Sequence, residues 1–299
     1  MKNIEQLGER YCRKYLDSWD KEELQNNWWE ALKFFFSHSF MRGRRDKLSN
    51  EYYYFTIKTL EKRFQITNEN LDNSYNEVKK LKEHFNKEYI LTFKRAKNLG
   101  RGNSIKHKDF QNEVAGQNRI IDLLITRKEV EVEWDNKTYT TEISLGNDED
   151  VMMVLDVLKF ISSDDKKNIY KYLKDTITSS GVKKAYNELI GIRAISDKIA
   201  TLIIRDVGLI NLNSEIVNQD YEKAFPVDTW VNKIARKIGC RCESIEEIKS
   251  YFINKCEEVN INPLKFAAGL WFLGSHSLDI LLEHLGEIEI KCNNSPNSG

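Results

Sequence analysis

The sequence predicts an α+β fold, mostly α, with one small antiparallel sheet inserted between helical regions. Apolar residues recur at helical spacing over most of the 299 positions. No proline interrupts the long first stretch, and only between Arg119 and Leu145 does the pattern change to strand-like alternation.

Residues 1–118 read as an N-terminal helical region. Trp28, Trp29, Leu32, Phe35, Phe36 and Phe40 recur near helical spacing as a buried face, and Tyr52 to Leu60 supplies a second one. Between them Arg42-Gly43-Arg44-Arg45-Asp46 reads as a turn, and the polar, glycine-containing stretch Lys94 to Asn118 reads as a loop or boundary. Residues 119–149 form the expected sheet. Ile120 to Ile125 is an apolar run, and Val130, Val132 and Trp134 alternate with acids. Asp135-Asn136-Lys137 then interrupts before Tyr139 to Ile143, giving a hairpin in a sheet of two or three strands. Residues 150–292 are again helical, and the polar residues 293–299 are expected to be a disordered tail.

Charge and cysteine content narrow the class. The 46 basic and 46 acidic residues balance, but basic side chains gather at Arg42, Arg44, Arg45 and Lys47 and again at Lys94, Arg95, Lys97, Arg101, Lys106 and Lys108. Such clusters can hold a phosphate backbone, although most charge runs are only solvated faces. No apolar stretch approaches the roughly 20 residues of a membrane span, and charges in Met1 to Arg10 occupy the place of a signal peptide's apolar run. The expectation is a cytoplasmic, nucleoid-associated monomer without a membrane partner. Cys12, Cys240, Cys242, Cys256 and Cys292 are odd in number and lack paired C-x-x-C spacing, so free thiols are expected and no zinc site. No metal or cofactor is called for.

The informative residues lie in the third stretch. Val182 to Leu189 forms a short helix, Gly191 and Ile192 break it, and Ile195-Ser196-Asp197-Lys198 begins a second helix running through Ala200, Leu202 and Ile203 to about Asp206. Two short helices around a tight turn aim backbone N–H groups and a helix N-terminus at one phosphate, which needs small turn residues rather than particular bases.

Ala194-Ile195-Ser196-Asp197-Lys198-Ile199-Ala200 and, downstream, Phe225-Pro226-Val227-Asp228-Thr229-Trp230-Val231 carry a resemblance. They are similar to the helix-hairpin-helix DNA glycosylase superfamily. Its hairpin reads apolar-x-Gly-apolar-Gly-x-Lys-x-Ala and is followed by an apolar-Val-Asp segment. Val231 to Gly239 resembles the family's next helix, and the likeness spans roughly Gly181 to Ser277. Ala194 and Ser196 stand where the family has glycines. Placing Gly191 on the first glycine instead would put Ile195 at the lysine position and remove the catalytic reading. The register that keeps Lys198 two residues before Ala200 requires Ala194 to turn left-handed, at about 1 kcal/mol relative to glycine.

The resemblance implies the helix-hairpin-helix glycosylase fold and a double-stranded DNA partner with a damaged base or abasic site. It makes Lys198 the amine that attacks the sugar and Asp228 the carboxylate that aids deprotonation or stabilises positive charge. Arg193, Ala194 and Ser196 become DNA-contacting turn residues, with Trp230, Trp271 and His276 as base-pocket candidates. The separation of 228 − 198 = 30 positions is closest to archaeal-type 8-oxoguanine DNA glycosylase/AP lyases. The cysteines lack the spacing of an iron–sulfur cluster. Two alternatives stay open: a non-catalytic DNA-binding protein on the same fold, and a monofunctional glycosylase using Asp228 alone. The residues themselves also permit plainer roles. Lys198 can be an exposed helix lysine, Asp228 an N-cap, and Trp271 and Phe272 core.

Overall fold

The computed structural model describes residues 1–43, 45–81, 119–214, 216–277 and 280–281. The expected loop Lys94–Asn118 with its basic cluster, Arg44, Cys292 and the 293–299 tail lie outside the described residues. Among the described residues the protein is mostly helical with a single two-stranded antiparallel sheet, and no helix is long and apolar enough to cross a membrane.

In chain order the elements begin with α1 (Lys2–Tyr11), continued by a π-helical turn (Cys12–Leu16), then α2 (Lys21–Asn26), α3 (Trp28–Ser39), α4 (Asp46–Phe64) and α5 (Leu71–Lys80). Next come α6 (Arg119–Ile125), β1 (Lys128–Trp134), β2 (Lys137–Ile143), α7 (Asp148–Ile161), α8 (Ile169–Ser180), α9 (Val182–Ile190) and α10 (Asp197–Ile210). Past α10 lie α11 (Thr229–Lys237), α12 (Ile245–Glu258) and α13 (Pro263–Ser275). They form two compact units, Trp19–Ile203 and Met1–Ser18 with Ile204–Gly299.

In the Trp19–Ile203 unit, the Asn27 side chain caps α3 by accepting from the N–H groups of Trp29 and Glu30. The helix buries all six aromatic and leucine residues expected there, Trp28 to Phe40. Phe34 meets Tyr170 of α8 edge to face, 5.5 Å between centroids, which seats α3 on α8. The hairpin runs in register from Lys128↔Ile143 to Trp134↔Lys137. Its turn residues Asp135 and Asn136 both have positive φ (50° and 57°), the geometry that suits a two-residue hairpin and that these side chains tolerate. Val130 and Val132 are buried on the side where α4 packs, Glu129 and Glu131 face out, and Glu133 meets Asn50 and Tyr54 of α4. Ile120–Ile125 is a correction: it is helical, not a third strand. The buried residues Ile120, Ile121, Leu124 and Ile125 follow helical spacing, and a short apolar run alone does not distinguish the two periods.

In the other unit, α13 packs against α1, α11 and α12. It crosses α1 with the two backbones in contact. A Cβ added at Gly8 would fall on the Lys265 carbonyl, and one at Gly269 on the Ile4 carbonyl. The core around this crossing includes Phe225, Val231, Phe252, Cys256, Phe266 and Leu270. Beside it lies a fully buried ion pair, Arg205 Nε to Asp206 Oδ1 at 2.7 Å, and Tyr11 donates its hydroxyl to Asp206 Oδ2 at 2.6 Å. The Arg205 guanidinium also sits 4.5 Å from the Tyr11 ring centroid. Burial pushes the Tyr11 hydroxyl well above its ordinary pKa. Burial alone would disfavour the arginine charge, but Asp206 and Tyr11 outweigh it and keep the guanidinium ionised.

The cysteine expectation is corrected in part. Cys12 and Cys256 are free, but Cys240 and Cys242 are joined by a disulfide just after α11. Gly239 just before them turns left-handed (φ 84°), and the two cysteines are only two positions apart, a spacing the C-x-x-C reading does not cover.

Because backbone blocks any retreat at the crossing, Gly269→Ala is expected to lower stability by about 3 kcal/mol through overpacking. Gly43→Ala, with no atom within 4 Å of the added carbon, should change it by less than about 0.5 kcal/mol. Urea unfolding of both variants checks this; equal midpoints would contradict the backbone contact.

Candidate active site

The sequence-predicted residues fall in both units. In the Trp19–Ile203 unit, α9 buries Val182, Ala185, Tyr186 and Leu189, a clean i, i+3, i+4, i+7 stripe, and ends at Gly191. Gly191 has ordinary right-handed dihedrals (φ −69°), whereas Ala194 has φ 63°. The Ile195 N–H donates to the Ile192 carbonyl at 3.2 Å, closing a turn over Ile192–Ile195. With only its third residue at positive φ, the turn is of the type that ordinarily demands glycine there. The left-handed residue is therefore the alanine and not the nearby glycine. The chain then enters α10, where the Ser196 carbonyl accepts from the Ala200 N–H at 2.9 Å.

Two side chains fasten this turn. Asp156 of α7 accepts the Arg193 N–H on Oδ2 at 3.2 Å, and Tyr186 of α9 donates to Asp197 Oδ1 at 2.8 Å. Burial raises the Asp156 pKa, and the bond from Arg193 opposes that rise. Arg193 is half-buried, Ala194 partly so, and Ser196 exposed. Lys198 is the second residue of α10 and only partly buried; its Nζ donates to the Met41 carbonyl at 3.4 Å, a long bond. The basic turn after α3 thus lies beside the lysine. Nothing in the sequence pointed to that neighbour, 157 positions away.

The other unit holds Asp228, Trp230, Trp271 and His276. Asp228 is the N-cap of α11: its Oδ1 accepts from the N–H groups of both Trp230 and Val231 at 2.9 Å. Preceding Asp228, Phe225, Pro226 and Val227 are buried and fix the chain's entry into the helix. Trp230 stays 42% exposed. Its base rests on Gly274, where an added Cβ would strike the indole, and Lys233 Nζ lies 4.7 Å from its ring centroid.

Trp271 and His276 come together, 5.9 Å between centroids, with Tyr15 contacting both rings. His276 lies flat on Phe272 at 4.3 Å. Its Nε2 is 3.0 Å from the Tyr15 hydroxyl and 3.1 Å from Lys14 Nζ, and its Nδ1 is 2.8 Å from Ser275 Oγ. An ammonium can only donate, so Nε2 accepts and Nδ1 carries the proton toward Ser275, which in turn bonds to the Trp271 carbonyl at 2.9 Å. Lys14 and Tyr15 are site neighbours that sequence reasoning missed, because they lie more than 260 positions from His276 and form no motif with it.

Among the described residues no group of three or more His, Cys, Asp or Glu side chains is arranged to hold a metal ion. No family model, curated protein or solved structure matches the chain.

Two predictions follow from the backbone. Ala194→Gly relieves the left-handed alanine but adds chain entropy, so stability should stay within about 0.5 kcal/mol, whereas Ala194→Val should lose about 1–2 kcal/mol. A neutral valine variant in urea unfolding would show that the turn is not left-handed. At the second site, Asp228→Ala should cost about 1 kcal/mol of cap stability, while Asp228→Asn, an equally good cap, should keep the parent melting temperature.

Proposed function

We propose that the protein is a DNA base-excision glycosylase with AP-lyase activity, in which Lys198 is the nucleophile and Asp228 its carboxylate partner. The observation that carries this reading is the left-handed Ala194. The turn between α9 and α10 has its special backbone position where a helix-hairpin-helix has glycine, in the register that makes Lys198, not Ile195, the lysine of the motif. A chain that retains a left-handed alanine at about 1 kcal/mol has a turn whose shape matters more than its local comfort. Ser196 is exposed ahead of α10, and a helix start of this kind is where a phosphate oxygen is ordinarily bound.

In the chemistry, the neutral Lys198 amine attacks C1′ of the damaged nucleotide. The bond from C1′ to the base breaks, the base leaves with the electron pair and takes up a proton, and the amine nitrogen and C1′ become an imine after sugar-ring opening. Loss of a C2′ proton then expels the 3′ phosphate by β-elimination. The resemblance gives Asp228 the role of aiding deprotonation or offsetting positive charge on the sugar. Using only Oδ1 for the cap, its carboxylate keeps Oδ2 for that role. The target nucleotide leaves the duplex to react, and the half-exposed Trp230 and the Trp271–His276 group are the surfaces on which a flipped base would stack. Oxidised purine, 8-oxoguanine first, is the substrate class suggested by the sequence resemblance.

Incubating the protein with duplexes bearing 8-oxoguanine or an abasic site, with and without borohydride, tests this. A covalent adduct lost in Lys198→Gln, with strand cleavage lost in both that variant and Asp228→Asn, is the expected result. Duplex binding with neither adduct nor cleavage would instead fit a non-catalytic binder. Trapping that survives Lys198→Gln would overturn the register of the turn.

A further inference from the structure

The exposed turn that links α3 to α4 lies beside the start of α10, and the contacts fastening it there distinguish it from an ordinary solvated charge run. Arg42 is held by Asp150 of α7, Nη1 to Oδ1 at 3.0 Å, and the Asp150 side chain is fully buried. The next carbonyl back, that of Met41, receives Lys198 Nζ. One basic residue is thus spent in anchoring the turn, and the anchor sets it beside the amine. Arg45 and Lys47 remain exposed at the beginning of α4. Lys47 is oriented by the Tyr139 ring, 4.4 Å from Nζ to centroid, and Tyr139 is in turn tied to Glu51 by its hydroxyl at 2.7 Å. Elsewhere in this unit the outward side of the hairpin carries Glu129, Glu131 and Glu142, with Glu129 directly opposite Glu142 in the register. A polyanion is repelled by that side and attracted to the turn.

We infer that Arg45 and Lys47 form a second phosphate-binding element, which grips the backbone of the same duplex that the Ile192–Ser196 turn engages, a few nucleotides from the reacting one. From Met41 to Arg45 is four residues, at most about 14 Å of extended chain, or about four steps of 3.4 Å along one DNA strand. The partner is the sugar-phosphate backbone, independent of base and lesion, because both side chains present charge without a fixed fork of neighbours to read a base edge. This assignment rests on the proposed function for the identity of the duplex and adds to it a binding element that the resemblance does not supply.

The test is the salt dependence of binding, read by fluorescence anisotropy on an undamaged duplex and on one with a non-cleavable abasic analogue, between about 50 and about 200 mM salt. Each of Arg45→Ala and Lys47→Ala should reduce the slope of log K against log salt by about 0.9 and weaken both duplexes by the same factor. Arg45→Lys and Lys47→Arg should retain the parent slope, which separates lost charge from a disturbed fold. Parent-like slopes in both alanine variants would overturn this inference while leaving the glycosylase reading intact. A parent protein that binds neither duplex would overturn both.

Discussion

Helix axes ordinarily stay 8–10 Å apart because side chains hold the backbones away from each other. Gly8 and Gly269 remove that spacer from α1 and α13 at the same point, so carbonyl and Cα meet directly. Much of the unit built from the two ends of the chain depends on that approach. It brings Tyr11 over the Arg205 guanidinium and its hydroxyl onto Asp206, supplying the hydrogen bond without which a buried carboxylate would be poorly solvated. A turn further along, Lys14 and Tyr15 reach His276, and the Tyr15 ring meets Trp271. An ordinary side chain at either glycine would push α1 outward and disperse this cluster.

The Trp19–Ile203 unit relies on a different device, carboxylates from one helix that fasten two loops. On α7, Asp150 takes the arginine of the turn after α3, and Asp156 takes a backbone N–H of the turn after α9. In the turn after α9, Ile192 and Ile195 are buried as well, so apolar packing and the Asp156 bond together hold its shape, while Ser196 stays exposed. Burial raises the Asp156 pKa, and the Arg193 N–H it accepts opposes that rise.

Particular residues show why some features were legible and others not. The α3 core was visible because six large apolar residues repeat at one period, and the β1–β2 turn because Asp-Asn tolerates positive φ. The cap at Asp228 was legible as its plainer role, since a short acidic side chain before an amphipathic run commonly starts a helix. Ile120–Ile125 was misread because five apolar residues with a single acid fit either period, and burial among helices decided for one. The Cys240–Cys242 bond escaped because the spacing sought was C-x-x-C, whereas these two cysteines are only two positions apart.

Local chemistry and periodicity were enough to identify the helices, the hairpin and the two segments around Lys198 and Asp228, since propensity, capping and amphipathic spacing act over a few residues. The sequence also required that Ala194 bend left-handed if Lys198 was to hold its place. Folding alone set which distant groups become neighbours: Met41 and Lys198, Arg42 and Asp150, Tyr15 and His276, Gly8 and Lys265. Those pairings lie between 108 and 261 positions apart. No local preference encodes them, because they arise from how whole helices pack, and packing is a property of summed surfaces rather than of any single stretch of chain.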